Sequence, residues 1–140
     1  MSTSLRSSII PTMRYRDAPK MLEWLCKAFG FERHFVVPGE NGTIAHAQLV
    51  LNGGMIMLGS ARDDEWGKLV KPAADGGAPT GAAYVVVSDI DAHYARAKGA
   101  GAEIVRALEN TEYGSREFAA RDPEGQVWSF GTYDPWTEAS

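Results

Sequence analysis

The chain has 140 residues, 44% of them apolar and 23% charged, and a formal net charge of −4. That length and balance fit one globular domain, able to bury roughly two thirds of its surface without disulfide or metal staples. No cluster of Lys and Arg stands out for a phosphate backbone, so nucleic acid is not expected as a partner. No apolar run approaches the roughly 20 residues of a membrane span. The single cysteine, Cys26, cannot form an intrachain disulfide. That fits a reducing cytoplasm, and the polar start Met1–Arg6 carries no signal-peptide pattern.

Ser8 to Tyr15 reads as a strand. Asp17 offers an N-cap to a helix running to Phe29. Ala18, Met21, Leu22, Leu25 and Phe29 fall on one helical face, and Gly30 supplies a left-handed stop. Phe31 to Val37 alternates as a strand, Gly39–Gly42 is a hairpin turn, and Thr43 to Leu51 is the next strand. Asn52-Gly53-Gly54 turns the chain into Met55 to Leu58. Ser60 to Thr80, rich in Asp, Ala, Gly and Pro, reads as a long loop, either a linker or a lid. Gly81 to Val87 is a strand and Asp89 to Gly99 a helix. Glu103 to Ala107 is a strand, Asn110 to Gly114 a loop and Ser115 to Arg121 a strand. Asp122-Pro123-Glu124-Gly125 is a turn with Pro at its second position, and Gln126 to Gly131 closes the order. The tail from Thr132 is aromatic and then polar.

The two halves repeat at an offset of 72 residues: Asp17 matches Asp89, and Gly53–Gly59 matches Gly125–Gly131. Two anchors sharing one offset indicate two copies of one βαβββ unit. With the turn Asp122-Pro123-Glu124-Gly125 before the last strand, the duplication resembles the vicinal oxygen chelate superfamily. That group includes glyoxalase I, the bleomycin-resistance proteins and the extradiol dioxygenases. The likeness covers Ser8 to Tyr133 and is closest to the small glyoxalase/bleomycin-resistance-like branch. It implies an α+β fold: two tandem βαβββ modules, 8–59 and 81–133, forming curved mixed sheets around a central cleft, with 60–80 between them in a single domain. It also implies a homodimer with clefts shared between subunits.

Enzymes of this superfamily hold a divalent metal on His, Gln or Glu from the first and last strand of each half. Carried over by the offset and the motif, those positions fall at Ile10, Met57, Ala82 and Ser129. None is a strong ligand, and Ser8–Met13 and Thr80–Val85 contain no His, Asp or Glu. The expectation is therefore no metal and no other cofactor.

Strand alternation then assigns the cleft. With Ser129 and Met57 facing inward, Met55, Val127, Ile10, Thr12, Arg14, Ala82, Tyr84 and Val86 join them. On the third strands His46 and Gln48 are placed opposite Phe118 and Ala120, and Ile44 opposite Arg116. Trp128, Phe130, Ile56 and Leu58 face the helices. The expected ligand-binding set is thus Arg14, His46, Gln48, Met57, Tyr84, Arg116, Phe118 and Ser129. Trp66, an aromatic in a polar loop, is added as a lid or docking residue. An apolar cleft with sparse polar groups suits a small molecule. Each member also has a plain structural reading: His46 as a hydrogen-bonded surface group, the arginines as partners of carboxylates, the methionines as core. Cys26 is expected to be buried rather than reactive, and His34 and His93 to be exposed. The leading expectation is a metal-free protein that sequesters a hydrophobic or aromatic compound. The alternatives are a lyase, isomerase or dioxygenase with an atypical metal site around His46, and an interaction module without chemistry.

Overall fold

The computed structural model describes residues 7–137; the chain's first six residues and the end of its polar tail lie outside that range. Among the described residues eight strands and four α-helices follow in order: β1 (Thr12–Tyr15), α1 (Ala18–Phe29), β2 (Glu32–Pro38), β3 (Ile44–Leu51), β4 (Gly54–Ser60), α2 (Glu65–Leu69), α3 (Ala73–Gly76), β5 (Ala83–Val86), α4 (Ile90–Gly99), β6 (Glu103–Asn110), β7 (Arg116–Arg121) and β8 (Val127–Gly131). The strands form two four-stranded sheets of like topology, β1-β4-β3-β2 and β5-β8-β7-β6. In each, the first strand pairs parallel with the last and the other pairs are antiparallel. This is the α+β fold of two βαβββ units that the repeat implies.

The helices begin where short acidic side chains can take up free N–H groups. Asp17 accepts from Lys20 N and Asp89 from Ala92 N, each at 3.2 Å. Gly30 ends α1 at φ 86°, a conformation that side chains with a Cβ avoid. One face of α1 is buried through Ala18, Met21, Leu22, Leu25, Ala28 and Phe29. The core lies on the helix-facing side of both sheets and is continuous between modules. Phe29 at the end of α1 packs on Trp128 and Phe130 of β8 at ring separations of 5.7 and 4.7 Å. Phe31 packs on Trp128 at 5.6 Å.

Polar contacts tie the same seam. The buried Asp122 carboxylate accepts from Tyr15 Oη at 2.7 Å and Trp128 Nε1 at 3.1 Å. Glu124, in the same turn, accepts from the backbone N–H groups of Arg16 and Asp17 at 2.7 and 2.8 Å. In the reverse direction, Asn52 in the β3–β4 turn donates to Val86 O at 2.7 Å. Burial first, and the Asp122 charge second, hold the Tyr15 phenol well above its ordinary 10.0.

Four local expectations differ. β1 begins at Thr12 rather than Ser8, and β6 continues to Asn110. The 60–80 stretch carries α2 and α3, and Arg16 fixes α3 by pairing with Asp75 and donating to Ala74 O. His93 is not an exposed residue: it packs on Phe130, Phe118 and Phe29, and its Nε2 lies 2.7 Å from Phe29 O. Cys26 is half-buried, and burial raises its thiol pKa. Among the described residues no helix is long and apolar enough to cross a membrane.

Two outcomes follow from this core. Trp128→Ala should cost about 3–5 kcal/mol in urea unfolding. Asp122→Ala should be of similar severity, because it strands the Tyr15 and Trp128 donors in a buried site. Burial lowers the His93 pKa below its ordinary 6.5, with the Phe29 carbonyl opposing and Arg96 reinforcing. A depressed histidine favours the fold above its unfolded value and loses that contribution as pH falls. Stability should therefore drop below about pH 6.5, and His93→Phe should flatten that part of the profile.

Candidate functional site

Each sheet has a second face, away from the helices, and pairing registers fix which side chains occupy it. In the first module Gln48 pairs with Met57 and Thr12 with Met57, while Val37 pairs with His46 and Phe35 with Gln48. The open face thus carries Thr12, Arg14, Phe35, Val37, His46, Gln48, Met55 and Met57. Leu58, Ile56, Leu49 and Ala47, between them in sequence, are buried on the helix side. Gln48 Nε2 lies 3.0 Å from His46 Nε2. With the amide nitrogen as donor, the imidazole proton sits on Nδ1. The partner of His46 is thus an amide, not the carboxylate that would orient it as a base. Arg14 lies across Gly59, where a Cβ would collide with its guanidinium, and Nη1 donates to Ser60 O at 3.2 Å. Burial, then Arg62, lower the Arg14 pKa, while Asp64 opposes them.

In the second module Tyr84 pairs with Ser129, Ala119 with Ser129, and Glu117 with Gly131. Tyr84, Glu117, Ala119 and Ser129 share the open face. Glu117 is only 7% exposed. Its carboxylate accepts from Tyr113 Oη, with oxygens at 2.9 and 3.0 Å, and Tyr84 Oη lies 3.5 Å from it. Tyr84 Oη also donates to Tyr133 O at 2.8 Å. Gly131 makes room for the cluster: a Cβ there would stand 2.5 Å from Tyr84 Oη and 2.7 Å from Glu117 Cγ. Tyr84, Tyr113, Glu117, Tyr133 and Pro135 line a cavity of about 520 Å³. Burial raises the Tyr84 pKa, with Ser115 opposing and Glu117 reinforcing; the Glu117 hydrogen bond raises that of Tyr113.

The site residues expected from sequence therefore separate. Arg14, His46, Gln48 and Met57 lie on the first open face, and Tyr84 and Ser129 on the second. A cavity of about 300 Å³ at the seam is bordered by Met55 from the first and by Tyr84 and Val86 from the second. Phe118 and Arg116 belong to neither face. Phe118 is fully buried against Phe130, ring centroids 5.0 Å apart, and Ala120 is buried beside Trp128. Arg116 points to the helix side and pairs with Asp91 at the start of α4, 3.0 Å. The cause is one residue: Leu58 follows its partner Ala47 by 11 positions, whereas Phe130 follows Phe118 by 12. The longer β7–β8 turn flips every side chain of β7 relative to the repeat. The same shift brings in Glu117, which the sequence reading missed; the three-residue loop Pro123–Gly125 inside the Asp122–Gln126 pair, against the two residues Asn52-Gly53, was the available signal. Trp66 stands on α2, 45% exposed.

As a metal site the donors fit poorly. Among the described residues no group of three His, Cys, Asp or Glu could hold an ion. The first open face offers one imidazole, and the second one carboxylate already engaged by tyrosines.

The model of the Glyoxalase/Bleomycin resistance protein/Dioxygenase superfamily matches residues 10–130. An uncharacterized protein of Mycobacterium bovis is 35% identical over 135 residues, covering 94% of this chain and 86% of that protein. The crystal structure of TioX from Micromonospora sp. ML1 is similar at 33% identity and a TM-score of 0.71, covering 89% of this chain and 94% of that one. The fosfomycin resistance protein FosX from Listeria monocytogenes shares the fold at 14% identity and a TM-score of 0.63, over 96% and 94% of the two chains. That FosX structure is complexed with Mn(II). It corrects the expectation of no divalent metal: the fold carries such an ion in a related architecture, and four missing strand ligands are not grounds to exclude one. The β-α-β-β-β repeat, the matched segment and these relatives agree, and the chain belongs to the glyoxalase/bleomycin resistance protein/dioxygenase superfamily.

Proposed function

We propose that this chain is a small-molecule-binding protein of the glyoxalase/bleomycin-resistance type. It takes a hydrophobic or aromatic compound on the open faces of its sheets, in a cleft shared by two copies of a symmetric homodimer. The observation that carries this reading is the chemistry of those faces. Phe35, Val37 and Tyr84 are exposed, and Met55 and Met57 are half-buried, although residues of these types usually complete a core. Divided between the two open sheet faces, with Arg14, His46 and Gln48 on the first and Ser129 on the second as sparse polar groups, they make surfaces suited to an apolar ligand. Adaptable methionines help such a surface fit an irregular ligand. The sheet edges at β1 and β5 pair with no further strand among the described residues, and such edges favour association with another copy. In this reading the 60–80 segment lies near the interface, where Trp66 docks.

Sedimentation at micromolar concentration should give a dimer, and a clean monomer would contradict the shared cleft. Equilibrium dialysis against 2-naphthol should show saturable binding. His46→Ala should weaken that binding several-fold and change stability by no more than about 0.5 kcal/mol. A His46→Ala variant as unstable as Trp128→Ala, or binding indifferent to it, would count against the site.

A further inference from the structure

The second open face holds a group that a purely apolar ligand would not use. Glu117 is a single carboxylate, nearly buried, at the floor of a cavity whose walls are Tyr84, Tyr113, Tyr133 and Pro135. The rings of Tyr113 and Tyr133 stand at 83° with centroids 5.8 Å apart, two walls of a box with the carboxylate beneath. Aromatic faces carry negative quadrupole potential, and a cation between two of them is stabilised further when a carboxylate lies close. The hydrogen bonds to Glu117 come from neutral hydroxyls and leave acceptor capacity on its two oxygens. The positive group now nearest is the Arg106 guanidinium, 3.8 Å from Glu117 Oε1 and half-exposed. That is attraction without a hydrogen bond, and a half-exposed side chain can give way to a ligand. The cavity is also built in the backbone: Gly131 is the residue that leaves room for Tyr84 and Glu117 together.

We propose that the box of Tyr84, Tyr113, Tyr133 and Glu117 binds a positively charged nitrogen, so that the ligand is an aromatic or hydrophobic compound bearing an ammonium group. The proposal rests on the open faces being the ligand site and adds the charge of the ligand. The ammonium sits against the Tyr113 and Tyr133 rings above the Glu117 carboxylate, displaces Arg106 toward solvent, and leaves the apolar part of the molecule to the rest of the face.

The test compares (4-hydroxybenzyl)trimethylammonium with its neutral carbon isostere, 4-neopentylphenol, by equilibrium dialysis on the full-length protein. The wild type should bind the cation at least about tenfold more tightly than the isostere. Glu117→Gln should cut the preference for the cation several-fold, leaving the part owed to the tyrosine faces. Arg106→Ala, at a half-exposed position, should tighten the cation several-fold and leave the isostere unchanged. Should Glu117→Gln fail to fold, Tyr113→Ala, at an exposed position, serves in its place and should reduce the preference for the cation. Isostere bound as tightly as the cation by the wild type would overturn the charge assignment while leaving the open face as a ligand site. A preference undiminished by Glu117→Gln, or Arg106→Ala that weakens the cation, would overturn it equally. Neither probe binding would overturn both this proposal and the reading on which it rests.

Discussion

Asp122 sits where the two modules meet, and its carboxylate decides how they are held. A buried carboxylate is costly unless its oxygens are fully engaged. Here they take the Tyr15 hydroxyl from the first module, the Trp128 indole from the second, and the backbone N–H groups of Glu124 and Gln126, at 2.7 to 3.1 Å. Glu124, two residues on, meets the N–H groups of Arg16 and Asp17 where α1 begins, a place that favours negative charge. One turn therefore orients the end of β1, the start of α1 and the aromatic core behind β8. Asn52 in the equivalent turn of the first module holds the end of β5 by the same logic. The helix-facing side of both sheets is committed to this junction, which leaves the other side of each sheet free.

Those free faces have grown different from one common plan. Gly59 and Gly131 occupy equivalent places in the two last strands, and each leaves space for a polar side chain to lie across the sheet. In the first module that side chain is the Arg14 guanidinium; in the second it is the Tyr84 hydroxyl with the Glu117 carboxylate. The duplication keeps the scaffold and exchanges the chemistry at the point of closest approach. A glycine near the end of a strand packs no side chain of its own, and here that leaves an opening for polar groups over the sheet.

Much of the fold was legible in the chain. The N-caps Asp17 and Asp89, the stop at Gly30, and the alternation of β3, β4 and β8 are local signals, and local signals survive folding. The faces of His46, Gln48, Met57, Tyr84 and Ser129 follow from that alternation once a register is chosen. β7 was not legible, because register is set by the turn joining two strands and not by the strand itself. One extra residue between Phe118 and Phe130 moved Phe118 into the core and Glu117 to the open face. His93 was missed for a related reason. Its position on α4 looks outward, and it is enclosed by Phe118 and Phe130 of its own sheet together with Phe29 from the other module. Tertiary contacts between copies of a repeat leave no mark in the periodicity of either copy.

The central claim is that a ligand uses the open faces of both modules and not the helix-packed core. Methionine methyl and backbone amide NMR during a titration with 2-naphthol tests it directly, because the methionines divide between the two environments. Met55 and Met57 lie on the open face and Met21 is buried under α1. The account predicts that the methyls of Met55 and Met57 and the amides of Tyr84 and Ser129 shift along one binding curve while Met21 stays in place. Shifts confined to Met21 and the helices, with the open-face signals unmoved as the compound saturates, would contradict it.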